Sequence, residues 1–464
     1  MSFPRRTGLN CVLVAWVVCL MLTSSLASMP GSRPGHPESI RRSGPSRTAA
    51  DIVATETLQN ISPPILVGTS SSAIAIDSSA AKVYVANEYT ENVTVISATT
   101  HERVATLPTK YPPTQLATDP QDGTVFALGN PYYASTSCPN SCPENGTVDA
   151  FSTFNNSRVG EVNVGNLSVG FAWSEAADEL FVANAVSHDV SVISAHPVRL
   201  EATLALPAYA LVSDPTSSYV YALDTGNPGN VTILNGSTNS VAGVIHTEGS
   251  PSMGVFNPWN KMLYIGDGNA TQSWIDVIST VSRQLVTKIG LPGEAFEMVV
   301  DSRTGDLLVG SDHFSNERQF YGGNFSIVSP STNAVLRSFV WSPYVYAVVP
   351  DNATGAVYVL GFGNLTVFNA TTMSPRYRAP VNESAYLMAL NPTDNTLWIV
   401  SESDYIGVPG SVEVYAAPLP IAPPASSSGV LGETNLGVPV VVGSVVAGVA
   451  MGVAVWLRGR NRRP

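Results

Sequence analysis

A short pattern returns eight times along this chain: an apolar strand, a turn led by Asp, Asn or Ser, and a second strand such as Val83-Tyr84-Val85-Ala86-Asn87. The turn-leading residues are Asp77, Asp119, Ser174, Asp214, Asn257, Asp301, Asp351 and Asn391, spaced 42, 55, 40, 43, 44, 50 and 40 residues apart. No other feature constrains the fold as tightly. A unit of this size cannot bury its apolar faces alone and must stack on its neighbours. Each unit continues with a third apolar run, as in Val93-Thr94-Val95-Ile96-Ser97, and most with a fourth, as in Arg103-Val104-Ala105-Thr106-Leu107. Short runs of Val, Ile, Tyr and Phe between turn residues predict an all-β chain. Four of them per unit, at this period, predict a single β-propeller over 65–416 with eight blades.

The turn chemistry fits that register. Asp119-Pro120, Asp214-Pro215, Asn257-Pro258 and Asn391-Pro392 place a capping side chain at the first turn position and a φ-fixing proline at the second. These carboxylates are therefore expected to hold turns and not to form catalytic pairs. Ring closure is also readable. After the eighth unit, Pro418, Pro420, Pro423 and Pro424 leave no room for a fourth strand. Ile65-Leu66-Val67-Gly68, ahead of the first unit, is expected to supply it and remove two free edges.

Tyr84-Val85-Ala86-Asn87, followed by Asn92-Val93-Thr94-Val95-Ile96-Ser97 and Arg103-Val104-Ala105-Thr106-Leu107, resembles the YVTN β-propeller repeat. Phe181-Val182-Ala183-Asn184 with Val190-Ser191-Val192-Ile193-Ser194 repeats the resemblance. It spans essentially all of 65–416 and is strongest in the first and third units. The resemblance implies a prokaryotic surface-layer or cell-surface propeller, often of seven blades, which makes seven the runner-up to the count of eight. Its motif is structural and implies no catalytic residue.

The ends place the chain. Arg5 and Arg6, the apolar run Cys11 to Leu22 and the small residues up to Ala27 make 1–27 a secretory signal peptide. Residues 28–64 read as a disordered leader and 417–435 as a Pro/Ser-rich stalk. A transmembrane helix is predicted over 436–457, because Val438 to Leu457 carries 20 uncharged residues, enough to cross a bilayer. Arg458, Arg460, Arg462 and Arg463 then keep the tail 458–464 in the cytoplasm and the propeller outside, a single-pass type I arrangement in the cell membrane.

Charge follows this division. Charged residues make up only 12% of the chain, with a formal net charge of −12, but the propeller itself holds 13 basic against 31 acidic residues, a formal −18. Nucleic acid is excluded as a partner, since phosphate neutralisation requires clustered Lys and Arg.

Candidate sites are few. Thirteen Asn-x-Ser/Thr sequons, at Asn60, Asn92, Asn145, Asn155, Asn166, Asn230, Asn235, Asn269, Asn324, Asn352, Asn364, Asn369 and Asn382, predict an N-glycosylated surface. Cys138 and Cys142, in an insertion of the second unit, are expected to form a local disulfide in an oxidising exterior. Loops joining second to third strands gather Glu88, Glu91, His188, Asp189, Asp224, Asp267, Asp312, His313, Glu402 and Asp404 on one face. Such a face either attracts Ca²⁺ or a basic partner or simply keeps the molecule soluble. Tyr132, Tyr133, Trp274, Phe314 and Tyr405 fall in the same loops, to stack on sugars or to pack locally. No catalytic or cofactor-binding residue, metal motif or resident cofactor is read. His-Glu-x-x-His, Gly-x-Ser-x-Gly, phosphate-loop and dinucleotide signatures are all absent.

The expected role is interaction: adhesion, surface-layer assembly, or binding of a cell-envelope protein or polysaccharide across the loop face. The alternative is an extracytoplasmic enzyme, an oxidoreductase or lactonase-like hydrolase, with its site in the central channel. A polar cluster at the channel mouth would favour the enzyme, and a channel lined by small apolar residues the binding module.

Overall fold

The computed structural model describes residues 58–131, 145–269, 271–314, 320–341, 345–402 and 408–417. Every element in them is a β-strand, and the strands form eight antiparallel sheets. Seven sheets have four strands taken in chain order. The first strands, among them Ser71–Asp77, Pro113–Asp119, Glu294–Val300 and Val345–Asp351, pack on one another in sequence around the centre. Ser71–Asp77 touches Ala385–Asn391 of the last sheet, so the ring is closed. The protein is an eight-bladed propeller, and a seven-bladed one is ruled out.

The eighth blade completes itself from the other end of the chain. Its third strand, Ser411–Ala416, pairs with Ile65–Leu66 through Ile65↔Val412 and Leu66↔Ser411. The pairing continues through Val67 and Gly68, which exchange backbone hydrogen bonds with Gly410. It also reaches back to Gln59–Asn60, opposite Ala416 and Tyr415, residues placed in the leader by sequence alone. Ile65 and Val67 are buried in a cluster with Val83, Val85, Leu387, Trp398 and Val412 that bridges blades 8 and 1.

The middle strands explain why the repeat was so visible. Thr124–Gly129, Glu179–Asn184, Ala356–Gly361 and Thr396–Ser401 are buried along their whole length. Each lies between neighbouring blades on both faces, so it needs apolar side chains at consecutive positions instead of alternating ones. The Asn that ends the motif has a separate task. Asn87 is fully buried. Its Nδ2 donates to Asn92 Oδ1 at 3.0 Å and Thr94 Oγ1 at 3.0 Å, and its Oδ1 accepts from Ser71 Oγ at 3.3 Å. Asn184 repeats this with Asp189, Ser191 and Ser168. The side chain thus ties the second–third loop to the first and third strands. Gly68 is needed beside it, because a Cβ there would lie 2.6 Å from the Asn87 Cβ.

Seven of the eight turn-leading residues cap their turns; Ser174 is the exception, its buried Oγ making no hydrogen bond. Asp77, Asp119, Asp214, Asn257, Asp301, Asp351 and Asn391 each accept a backbone N–H two residues on, at 2.8–3.2 Å. The segments read as signal peptide, stalk, transmembrane helix and tail, and the Cys138–Cys142 pair, lie outside the described residues. Among the described residues no helix is long and apolar enough to cross a membrane.

Candidate functional site: the acidic loop face

The second–third loops and the connections between blades share one face of the ring, and two groups of carboxyls gather there. The first sits where blades 8 and 1 meet. Glu88 follows the motif Asn87, and its N–H is held by Ser70 O at 2.7 Å. Glu402 holds the corresponding place after Thr396–Ser401, its N–H on Ser384 O at 3.1 Å. Tyr386, on the innermost strand of blade 8, donates its hydroxyl to Glu402 Oε1 at 3.1 Å. Desolvation, with the Glu402 charge second, pushes the Glu88 carboxyl up to about 8. Burial and the same carboxylates hold the Tyr386 phenol well above its ordinary value. The group lies between blades 8 and 1, where the raised Glu88 carboxyl favours its protonated form at neutral pH and Glu402 accepts the Tyr386 hydrogen bond.

The second group is in blade 5. Asp267 is the penultimate residue of the strand Met262–Gly268, and Asp276 lies in the neighbouring Ser273–Ser279. Their side chains interact directly. Asp267 is 5% exposed and Asp276 fully buried. Backbone N–H groups of Gly268 and Gly249 donate to Asp267 at 2.7 and 3.2 Å. Asp276 Oδ1 accepts from Trp274 Nε1 at 2.9 Å and lies 3.9 Å from Lys288 Nζ. Both carboxyls are raised by desolvation; Asp276, lacking the amide donors and facing Asp267, goes to about 7. Two carboxyls so close cannot both ionise freely, and the amides decide that Asp267 takes the charge.

The remaining acidic loop residues do simpler things. Asp189 accepts from Asn184, and Asp224 from the Gly226 amide and Asn230. Trp274 is 8% exposed, with Lys288 Nζ 4.6 Å from its ring centre, so it packs inside the blade and is no platform for a sugar. Asp404, Tyr405, Tyr132 and Tyr133 lie outside the described residues, as do the side chains of Asp312, His313 and Phe314. All thirteen sequon asparagines fall among the described residues, and none is in the buried interior. The buried Asn87, Asn130, Asn184, Asn257 and Asn391 all stand outside sequons.

Sequence reading missed Tyr386 and Asp276. Asp276 carried a signal: it takes the place in the third strand where other blades have Thr94, Ser191, Thr232 or Thr366. Blades 2 and 8 also carry a carboxylate there, Asp149 and Glu413, so a charge at this position marks a local partner: Arg158 for Asp149 and the Tyr415 hydroxyl for Glu413.

No protein-family model and no curated protein matches the chain. Solved propellers do. The Kuenenia stuttgartiensis hydrazine synthase is similar at 13% identity and TM-score 0.51, covering 76% of this chain and 97% of that one. Dihydro-heme d1 dehydrogenase NirN in complex with DHE is similar at 14% and 0.56, covering 73% and 74%. The C-terminal WD40 domain of Sif2 is similar at 12% and 0.59, covering 78% and 98%. Likeness at these identities is likeness of fold alone.

Proposed function

We propose that this is an exported, single-pass, membrane-anchored propeller of YVTN-like repeats, N-glycosylated on its surface, whose acidic loop face binds a cationic group of a cell-envelope protein or polysaccharide. One observation carries the reading: Glu88 and Glu402 follow equivalent second strands of blades 1 and 8 on the loop face, close enough that the Glu402 charge helps raise the Glu88 carboxyl to about 8. A cation entering there would favour the ionised Glu88 carboxylate and displace its proton, so binding and proton release are coupled. The propeller's −18 steers such a partner towards the face. Signal peptide, membrane span, sequons and repeat resemblance, all read from sequence, support export and display.

The test is capture of cell-envelope fractions by the full chain in detergent, with and without chelator. Capture should survive chelator, weaken with salt, and fall about tenfold in Glu88→Gln/Glu402→Gln, the worth of roughly one charge-assisted hydrogen bond. Equal capture by the variant would contradict the assignment.

The same cluster favours one second reading, an extracytoplasmic oxidoreductase or lactonase-like hydrolase acting in the channel. A carboxyl that keeps its proton near neutrality is suited to general acid–base work, and two of the fold neighbours are named as a synthase and a dehydrogenase. Turnover of a lactone or of a redox dye, lost in Glu88→Gln, would favour the enzyme.

A further inference from the structure

On the opposite face, four groups from three turns of two blades converge. Asp119 and Asp122 come from the first–second turn of blade 2, Asp178 from that of blade 3, and His196 from the third–fourth turn of blade 3. One ligand atom from each lies within 4.8 Å of all the others, and no other such cluster occurs among the described residues.

Two observations point beyond mutual ion pairing. The first is spacing. His196 Nδ1 stands 3.3 Å from Asp178 Oδ1 and 3.4 Å from Asp122 Oδ2. A charge-assisted N–H···O bond would close to roughly 2.7–2.9 Å. Ligands set tetrahedrally about 2.0–2.1 Å from a zinc ion stand about 3.3–3.4 Å apart, as these two pairs do; Nδ1 also stands 3.3 Å from Asp178 Oδ2. The second is an idle oxygen. Asp119 is 2% exposed; its Oδ1 caps the turn through the Gln121 amide at 3.0 Å, but its buried Oδ2 accepts no hydrogen bond. In the matching turns of blades 4 and 7, the Oδ2 of Asp214 and Asp351 accepts from Ser217 and Thr354 hydroxyls. Asp77 and Asp301 share the bare oxygen, yet neither is joined by a histidine and two further carboxylates.

We infer that Asp119, Asp122, Asp178 and His196 form a binding site for a divalent transition-metal ion of the zinc type. Three carboxylate oxygens and one imidazole nitrogen suit zinc or manganese, whereas calcium takes six to eight oxygens. The ion would clamp blade 2 to blade 3, and sequence motifs miss it because no two of its turns are adjacent in the chain.

The test uses the full chain in detergent, stripped with chelator and titrated with Zn²⁺ by calorimetry at about neutral pH, with Ca²⁺ as a parallel arm. The wild type should bind about one equivalent. His196→Gln and, separately, Asp178→Asn should each bind at least about tenfold more weakly while keeping the wild-type far-ultraviolet circular dichroism. Three outcomes would overturn the assignment: no uptake by the wild type, uptake unchanged in both variants, or a preference for Ca²⁺ over Zn²⁺.

Discussion

Glu297 and Gln115 occupy corresponding positions on the first strands of blades 6 and 2, each directly after a register shift. Gln115 spans to blade 3 by two bonds: its Oε1 accepts from Phe171 N at 3.0 Å and its Nε2 donates to Val169 O at 2.9 Å. Glu297 is 8% exposed, accepts a backbone N–H from Val348 in the next blade, and is pushed up to about 8 by burial. To donate as the Gln115 amide does, a carboxyl must carry a proton. Its folded pKa exceeds its unfolded one, so its contribution is complete below about pH 4 and is lost as pH rises to about 8. Glu297→Gln should therefore melt near the wild type at pH 4 and above it at pH 9; equal melting at pH 9 would remove the assignment. Gly249 is constrained for a related reason, since a Cβ there would lie 2.3 Å from Asp267 Oδ1. Gly249→Ala should break the amide donation to Asp267 and alter the titration of Asp276 near 7, readable by carboxyl NMR; an unaltered titration would contradict it.

Among elements, the closing strand is the piece whose removal is most telling. Ile65 and Val67 are 7% and 3% exposed, and burying each contributes roughly 1.5–3 kcal/mol. Deleting 65–68 also unpairs the edge of Ser411–Ala416. A truncation starting at residue 69 should melt well below one starting at residue 58, and equal melting would contradict closure through this strand. The strand was legible because the prolines after Ala416 denied the eighth blade a fourth strand of its own. Blade number and third strands were legible for a like reason: consecutive burial leaves an unbroken apolar run, and an Asx turn leaves a fixed Asp or Asn. The carboxyl groups were only half legible. Glu88 and Glu402 could be placed on one face by counting strands, but nothing local says that residues 314 apart in the chain meet. That contact exists only because the ring closes.

For the whole molecule, Glu88, Asp276 and Glu297 titrate in the same sense. Each is raised, to about 8, about 7 and about 8, so each favours folding at low pH and loses that contribution as pH climbs from about 4 to about 8. The propeller's net −18 adds self-repulsion in the same direction. The full chain should melt higher near pH 5 than near pH 8.5, and a melting point that rises with pH would contradict this ordering.

Whether the Glu88–Glu402 pair takes a cation by giving up a proton can be measured directly. Calorimetric titration of the full chain with a basic oligolysine peptide near pH 7, repeated in buffers of different ionisation enthalpy, reports protons released on binding. Release should approach one proton per site and be abolished in Glu88→Gln. Binding with no release, or the same release from the variant, would contradict it.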